Sequence, residues 1–253
     1  MSSYFDATAW IGSWPFAFLD AHTPRSLVAH LGARGIQRAL VSPLEAVFAP
    51  EPGPANRALL RTTRAFDTLT PVPVINPTLG NWREELALCA RDPRVRVVRV
   101  LPSYHRVALT GVAGRSLVSE LSRLRLKLVV QVRLIDERHE YHGLNLKPVA
   151  TRVLAQFLEA HRDTPVLLSG LLRSEILKLA PDHPNLLADL SFAEWHDTLR
   201  DLLTQARIEQ LAFASHTPFL VTAAATAKVQ AARLTAAQRR GVAGRHLDQF
   251  LQP

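Results

Sequence analysis

A single cysteine, Cys89, is all the thiol this 253-residue chain carries. No disulfide can form within the chain, which fits a reducing compartment. Lysine is almost as scarce. Only Lys127, Lys147, Lys178 and Lys228 contribute to the 30 basic residues, and the rest are arginines. No apolar run reaches the length of a membrane span. The N-terminus lacks the basic-then-apolar layout of a secretion signal. The expectation is a soluble, cytoplasmic protein with no membrane partner. The net charge of +8 invites a nucleic-acid reading. The basic residues are scattered rather than clustered and form no recognition motif, so no nucleic-acid partner is expected. No Gly-x-Ser-x-Gly, phosphate loop or dinucleotide fingerprint is present.

What the chain has is alternation. Short apolar, β-rich runs occupy residues 4–10, 38–42, 70–75, 95–101, 127–134, 165–169, 185–190 and 210–214. Helical patterns lie between them, at 24–34, 54–66, 81–91, 114–125, 148–161, 173–179, 194–206 and 221–233. Thr23-Pro24 opens the first helix, and Thr235 caps a final helix over 235–251. Strand and helix alternating eight times imply an α/β protein of the (β/α)8 TIM-barrel type, regular or distorted, with an additional C-terminal helix. The length suits one large domain of this kind, and no composition shift marks a boundary within 1–253. The longest unassigned stretch, 135–147, follows the fifth strand on the face where barrel active sites occur.

The opening strand reads Tyr4-Phe5-Asp6-Ala7-Thr8-Ala9-Trp10-Ile11-Gly12. It resembles the Asp-x-His-x-His-x-Gly opening of the amidohydrolase superfamily. Residues 35–43, 71–77, 97–105 and 211–219 resemble the amidohydrolase-related barrels as well, in the same order along the chain. The resemblance implies a metal-dependent hydrolase of TIM-barrel fold, with ligands on the first, fourth, fifth, sixth and eighth strands. This sequence departs from that pattern. Thr8 and Trp10 stand at the two histidine positions, and an indole nitrogen only donates. The fifth strand carries Gln131 and Arg133, the sixth offers no imidazole, and His216 replaces the acid that ends the eighth. Arginine is always cationic, and zinc asks for three or four ligands. No resident metal and no other cofactor is therefore expected.

Polar residues still fall at strand C-termini or just beyond: Asp6, Glu45, Asn76, Tyr104, His105, Gln131, Arg133, Asp136, Glu137, His139, Asp189, Ser191 and His216. Inward polar groups in a barrel need partners, so these form either a ligand pocket or a structural network. Arg133, inside an apolar strand, either pairs with a carboxylate or holds an acidic ligand in a two-bond fork. His216 can act as a general base or be spent on a backbone carbonyl. With Arg133 as anchor and His216 as base, Glu45, Asn76 and Tyr104 would orient a substrate, and Trp10, His105, Gln131 and Asp189 would complete the wall. Trp10, with Trp14, Pro15 and Phe16, forms an aromatic cluster that either plugs the mouth or faces a ligand. The reading is a hydrolase-like barrel acting on, or derived from enzymes acting on, a small carboxylate- or amide-containing substrate without the usual metal. The alternatives are a non-catalytic small-molecule binder or scaffold, and a hydrolase with a relocated metal held by His105, His139, His142 and His216. The oligomeric state stays open.

Overall fold

A computed structural model describes residues 3–136 and 142–252. Eight strands follow in chain order: β1 Tyr4–Ile11, β2 Ile36–Pro43, β3 Leu69–Pro71, β4 Val97–Val100, β5 Lys127–Gln131, β6 Val166–Ser169, β7 Leu186–Asp189 and β8 Leu211–Ala212. Every ladder between them is parallel, in the order β1-β2-β3 and β4-β5-β6-β7-β8. Two seams join these arcs. Ile75 N–H donates to Arg99 O at 2.9 Å and Arg99 N–H to Pro73 O at 2.8 Å, linking the chain after β3 to β4. Ala7 N–H donates to Phe213 O, His216 N–H to Thr8 O and Trp10 N–H to Thr217 O, linking β1 to the chain after β8. The result is the closed parallel barrel that the strand–helix alternation implies.

Helices cover the outside: α1 Pro24–Gly32, α2 Gly53–Thr62, α3 Trp82–Ala90, α4 Pro102–His105, α5 Val112–Leu124, α6 Thr151–Ala160, α7 Arg173–Leu179, α8 Thr198–Leu202 and α9 Thr222–Ala231. Thr23 caps α1 through a reciprocal bond with Ser26, as its position before Pro24 suggests. Three expectations shift, and one element has no counterpart in the sequence reading. The third strand stops at Pro71 rather than 75, because Pro71 and Pro73 have no N–H to give a ladder. The eighth pairs with β7 only over Leu211–Ala212, and beyond it the chain turns its hydrogen bonds to β1. The helix expected over 194–206 shrinks to Thr198–Leu202, opened by the Asp197 side chain. The short α4, directly after β4, gave no sequence signal. The described residues contain no helix long and apolar enough to cross a membrane.

Side-chain alternation divides each strand between two cores. Val98, Val100, Leu128, Val130, Val166, Leu168, Leu186 and Ala188 face the helices in one large apolar cluster. Leu40, Val72, Val97, Val129, Leu167, Leu187 and Ala212 face the barrel axis, and Phe5 joins them. The chain closes the lower end of that axis itself. Two short C-terminal helices, Ala236–Arg240 and His246–Phe250, flank a kink at Gly244 (φ 178°, ψ −29°), so the single helix expected over 235–251 is broken, and the second piece sets Leu247 and Phe250 against Phe5. A Cβ at Gly241 would lie 2.3 Å from the His246 ring, so the kinked stretch needs glycine there.

Candidate functional site at the barrel mouth

Two residues above the apolar axial layer, five strands change chemistry. Ser42, Arg99, Gln131, Ser169 and Asp189 follow Leu40, Val97, Val129, Leu167 and Leu187 at the strand period, and all five are buried. Thr8 joins them from β1, with its hydroxyl 2.8 Å from Asp189 Oδ2 and 3.0 Å from Ser169 Oγ. The other Asp189 oxygen accepts from Ser191 Oγ at 2.6 Å and from the N–H groups of Gly170 and Ser191. Gln131 accepts from Arg99 Nη1 and donates to Arg133 O at 2.7 Å.

Arg99 is the central member of this layer. Its guanidinium is fully buried and lies against the face of the Trp10 ring, 4.4 Å from the centroid. Burial holds it down to about 9, opposed by the charges of Asp189 and Asp6, so it stays cationic at neutral pH. Among the described residues its Nε and Nη2, Trp10 Nε1 and His216 Nδ1 have no hydrogen-bond partner. Arg99 satisfies the same rule that singled out Arg133, an arginine inside an apolar strand. The sequence reading missed it because the superfamily pattern drew attention to the fifth strand.

Above the polar layer sits an apolar plug: Trp10, Trp14, Leu44, Val74, Leu101 and Leu134 pack together, all buried. Trp14 stacks in turn against Phe16, Phe48 and Phe219, with centroids 5.7, 5.3 and 5.1 Å away. Trp10 is therefore a plug rather than a wall facing a ligand. His216 lies within this closure. Its Nε2–H donates to Leu134 O at 2.6 Å, and its ring meets the rings of Trp10, Phe192 and Phe219. Burial pushes the imidazole down to about 4, so it is neutral and its Nδ1 is the acceptor. The backbone of His216 is left-handed, φ 55°, and is held there by the β1–β8 seam bonds on either side.

Arg133 does not share this environment, and the expected Arg133–His216 pair around one ligand is not formed. The Arg133 guanidinium donates to Gly170 O at 2.6 Å and pairs with Glu175 at 3.1 Å, pinning the start of α7. Gly170 must be glycine for this, since φ is 83° and a Cβ would come 2.3 Å from Arg133 O. Glu45 is exposed and accepts from Ser13 N–H at 2.8 Å, bracing the first βα loop. Asn76 closes a local turn on Thr78. Tyr104 packs against Phe48, and His105 is 3.0 Å from Ala46 O through Nε2. Burial lowers the His105 pKa. These residues build loops around the mouth rather than converging on one point. Glu137 and His139 lie outside the described residues.

The metal that the fold implies does not fit this axis. Thr8 and Trp10 occupy the first-strand positions, the Asp189 carboxylate is spent on hydroxyl and N–H donors, and a guanidinium stands among them. No group of three or more His, Cys, Asp or Glu that could hold a metal occurs among the described residues.

One open space lies to one side of the axis. A cleft of about 510 Å³ separates the loops after β6, β7 and β8. Its walls include Leu172, Phe192, Trp195 and Val221, and its polar groups include Arg173, Ser191 and Ser215. Trp195 is 55% exposed and lies under the Arg173 guanidinium, 4.3 Å from centroid to cation. Arg173 is also bonded to Asp201. Glu194, which also lines the cleft, pairs with the nearly buried Lys228, which donates to Leu190 O as well. Of the residues forecast as a site, none but Asp136 and Ser191 lines this cleft.

No protein-family model matches the chain, and no curated protein matches its sequence. Solved structures match nearly all of it. The 5-carboxyvanillate decarboxylase of Sphingomonas paucimobilis aligns with a TM-score of 0.74 at 13% identity, over 99% of both chains. A dihydroxybenzoic acid decarboxylase of Polaromonas sp. JS666, with bound manganese and the inhibitor 2-nitroresorcinol, gives 0.71 at 13%, over 99% of this chain and 97% of that one. A Staphylococcus aureus protein provisionally described as an amidohydrolase gives 0.75 at 7%, over 98% and 99%. At such identities the likeness establishes the fold alone, the parallel (β/α)8 barrel that the strand–helix alternation implies.

Proposed function

We propose that this chain is a metal-independent amidohydrolase-type barrel that binds a small molecule in the rim cleft, without hydrolytic chemistry on the barrel axis. The observation that carries this reading is the closure of the axis. Arg99 occupies the polar layer, and Trp10, fully buried, seals it from above. The ligand class follows from the walls of the cleft. Trp195 and Phe192 suit a flat apolar body, and Arg173 with the Ser191 hydroxyl suits a carboxylate or amide at its edge. Small acids of this kind are named for the decarboxylases that share the fold. The single buried thiol, Cys89, supports a cytoplasmic location.

One observation favours a second reading, catalysis in the same cleft. Ser191 and Ser215 at its floor each bond a buried carboxylate, Asp189 and Asp6. The test is titration of Trp fluorescence with a panel of aromatic acids and their amides. Micromolar to millimolar binding lost in Trp195→Ala, with no product formed with or without added manganese or zinc, is expected. Turnover of any panel member would replace the binding reading with the catalytic one. Binding unchanged in Trp195→Ala would remove the cleft from consideration.

A further inference from the structure

A row of hydroxyl groups runs along the β1–β8 seam from the interior to the surface. Asp6 is fully buried at its inner end. Asp6 Oδ1 accepts two backbone N–H groups, from Thr8 at 3.0 Å and Ser215 at 2.9 Å. A proton on this carboxyl therefore belongs on Oδ2, which meets Ser215 Oγ. Ser215 Oγ lies 2.6 Å from Thr217 Oγ1, Thr217 Oγ1 lies 2.7 Å from Thr222 Oγ1, and Thr222 Oγ1 lies 2.8 Å from His30 Nε2. Ser215, Thr217 and Thr222 are all buried, whereas His30 on α1 is half-buried and reaches the surface. Every link is a hydroxyl, able to accept from one side and donate to the other.

We infer that this row is a proton path that exchanges a proton between the buried Asp6 carboxyl and His30 at the surface. In one state Asp6 Oδ2–H donates to Ser215, Ser215 to Thr217, Thr217 to Thr222 and Thr222 to His30 Nε2. Passing one proton along each link breaks the Asp6 O–H bond and forms the His30 Nε2–H bond. Every donor then reverses, which leaves an aspartate anion inside and an imidazolium outside. No atom other than hydrogen moves, and no co-reactant is needed.

The charges around the two ends fit such an exchange. Burial raises Asp6 to about 7, with Asp189 on β7 acting in the same direction and the bonds from Ser215 and Thr8 opposing it. Arg99 on β4 is the cation that faces it across the interior. With Arg99 balanced by Asp189, a neutral Asp6 leaves the layer uncharged. At the other end burial lowers His30, Arg34 on its own helix lowers it further, and Asp20 in the preceding loop raises it. Ser215 also lines the rim cleft, so the path runs through the cleft floor. The inference does not depend on any ligand binding there.

The experiment follows Asp6 itself. In protein labelled with ¹³C at the aspartate carboxyls, the Asp6 band is the one absent from Asp6→Asn. Its protonation is read by infrared spectroscopy after a rapid pH jump across neutrality. Wild type is expected to show Asp6 titrating near neutral pH. Thr217→Val, which removes one link, is expected to slow the change roughly 100-fold, a size typical of losing a positioned proton-transfer group. Thr217→Ser should restore the wild-type rate. His30→Ala should be slow and should recover in imidazole buffer, which a purely structural role would not produce. His30 is outside the core, so this variant carries the test if Thr217→Val fails to fold. A wild-type rate in either Thr217→Val or His30→Ala, or an Asp6 that does not titrate across neutrality in folded wild type, would overturn the path.

Discussion

Asp6 and His216 are two buried groups displaced in opposite directions, and their effects on stability should cancel until one is removed. Asp6 is held up to about 7 from an ordinary 3.8, and His216 down to about 4 from 6.5. The raised Asp6 contributes stability that is complete below its unfolded value and is lost as pH rises through 7. The lowered His216 contributes stability that is complete above its unfolded value and is lost as pH falls through 4. Between about pH 4.5 and 6 the native state holds one proton, on Asp6, and the unfolded state holds one, on His216. The pair then contributes no slope. Asp6→Asn leaves the unfolded state one proton richer, so its stability should rise relative to wild type by about 1.4 kcal/mol per pH unit. His216→Phe leaves the native state one proton richer, so its stability should fall by the same amount per unit. Across the window each difference accumulates to about 2 kcal/mol. Urea unfolding of the three proteins, followed by circular dichroism at closely spaced pH values, reads the slopes directly. The fixed cost of losing the His216 bond to Leu134 O shifts one curve but does not tilt it. Parallel curves for all three proteins would refute the assignment of a neutral Asp6 and a neutral His216 to the native interior.

Arg133→Met should cost about 3 kcal/mol, because Glu175 loses the partner that faces it at the start of α7. Ligand binding in the rim cleft should be unchanged, and a binding defect in a fully folded variant would return Arg133 to the site. Gly170→Ala should lose about 2 kcal/mol by thermal melting, since φ is 83° and Arg133 O blocks the added methyl. Wild-type stability there would mean the β6 loop can relax. Dialysis against manganese or zinc, followed by elemental analysis, should leave well under one equivalent. One equivalent retained would show a site built from residues other than the axial layer.

The fold was legible because its signal is distributed. Eight apolar runs and eight helical patterns can each blur at the ends without disturbing the order, and Pro71 and Pro73 shorten a strand without removing it. The candidate site was less legible. Strand C-termini are visible in a sequence, but side-chain direction beyond them is not. Gln131 lies within β5 and faces inward, while Arg133, two residues further, lies past the strand end and turns to the neighbouring loop. The sequence puts His216 at the mouth, and its left-handed backbone turns it into the plug, where its Nε2–H donates to Leu134 O. The hydroxyl row from Asp6 to His30 draws on β1, the end of β8, α9 and α1. Serine and threonine carry no distinguishing pattern, so only the closed seam brings them into line.

The lower end of the barrel is stopped by Leu247 and Phe250 against Phe5, residues far apart in the sequence. During synthesis β1 therefore waits for residues 211–250. β1 has β2 as an early neighbour, but its other edge and the floor beneath it arrive only with residues 211–250. Until then an unpaired parallel edge and the apolar axis stay open together, a species prone to association. For a ribosome making this protein, the stretch from Leu211 to Phe250 is the piece that converts a sticky open arc into a sealed barrel.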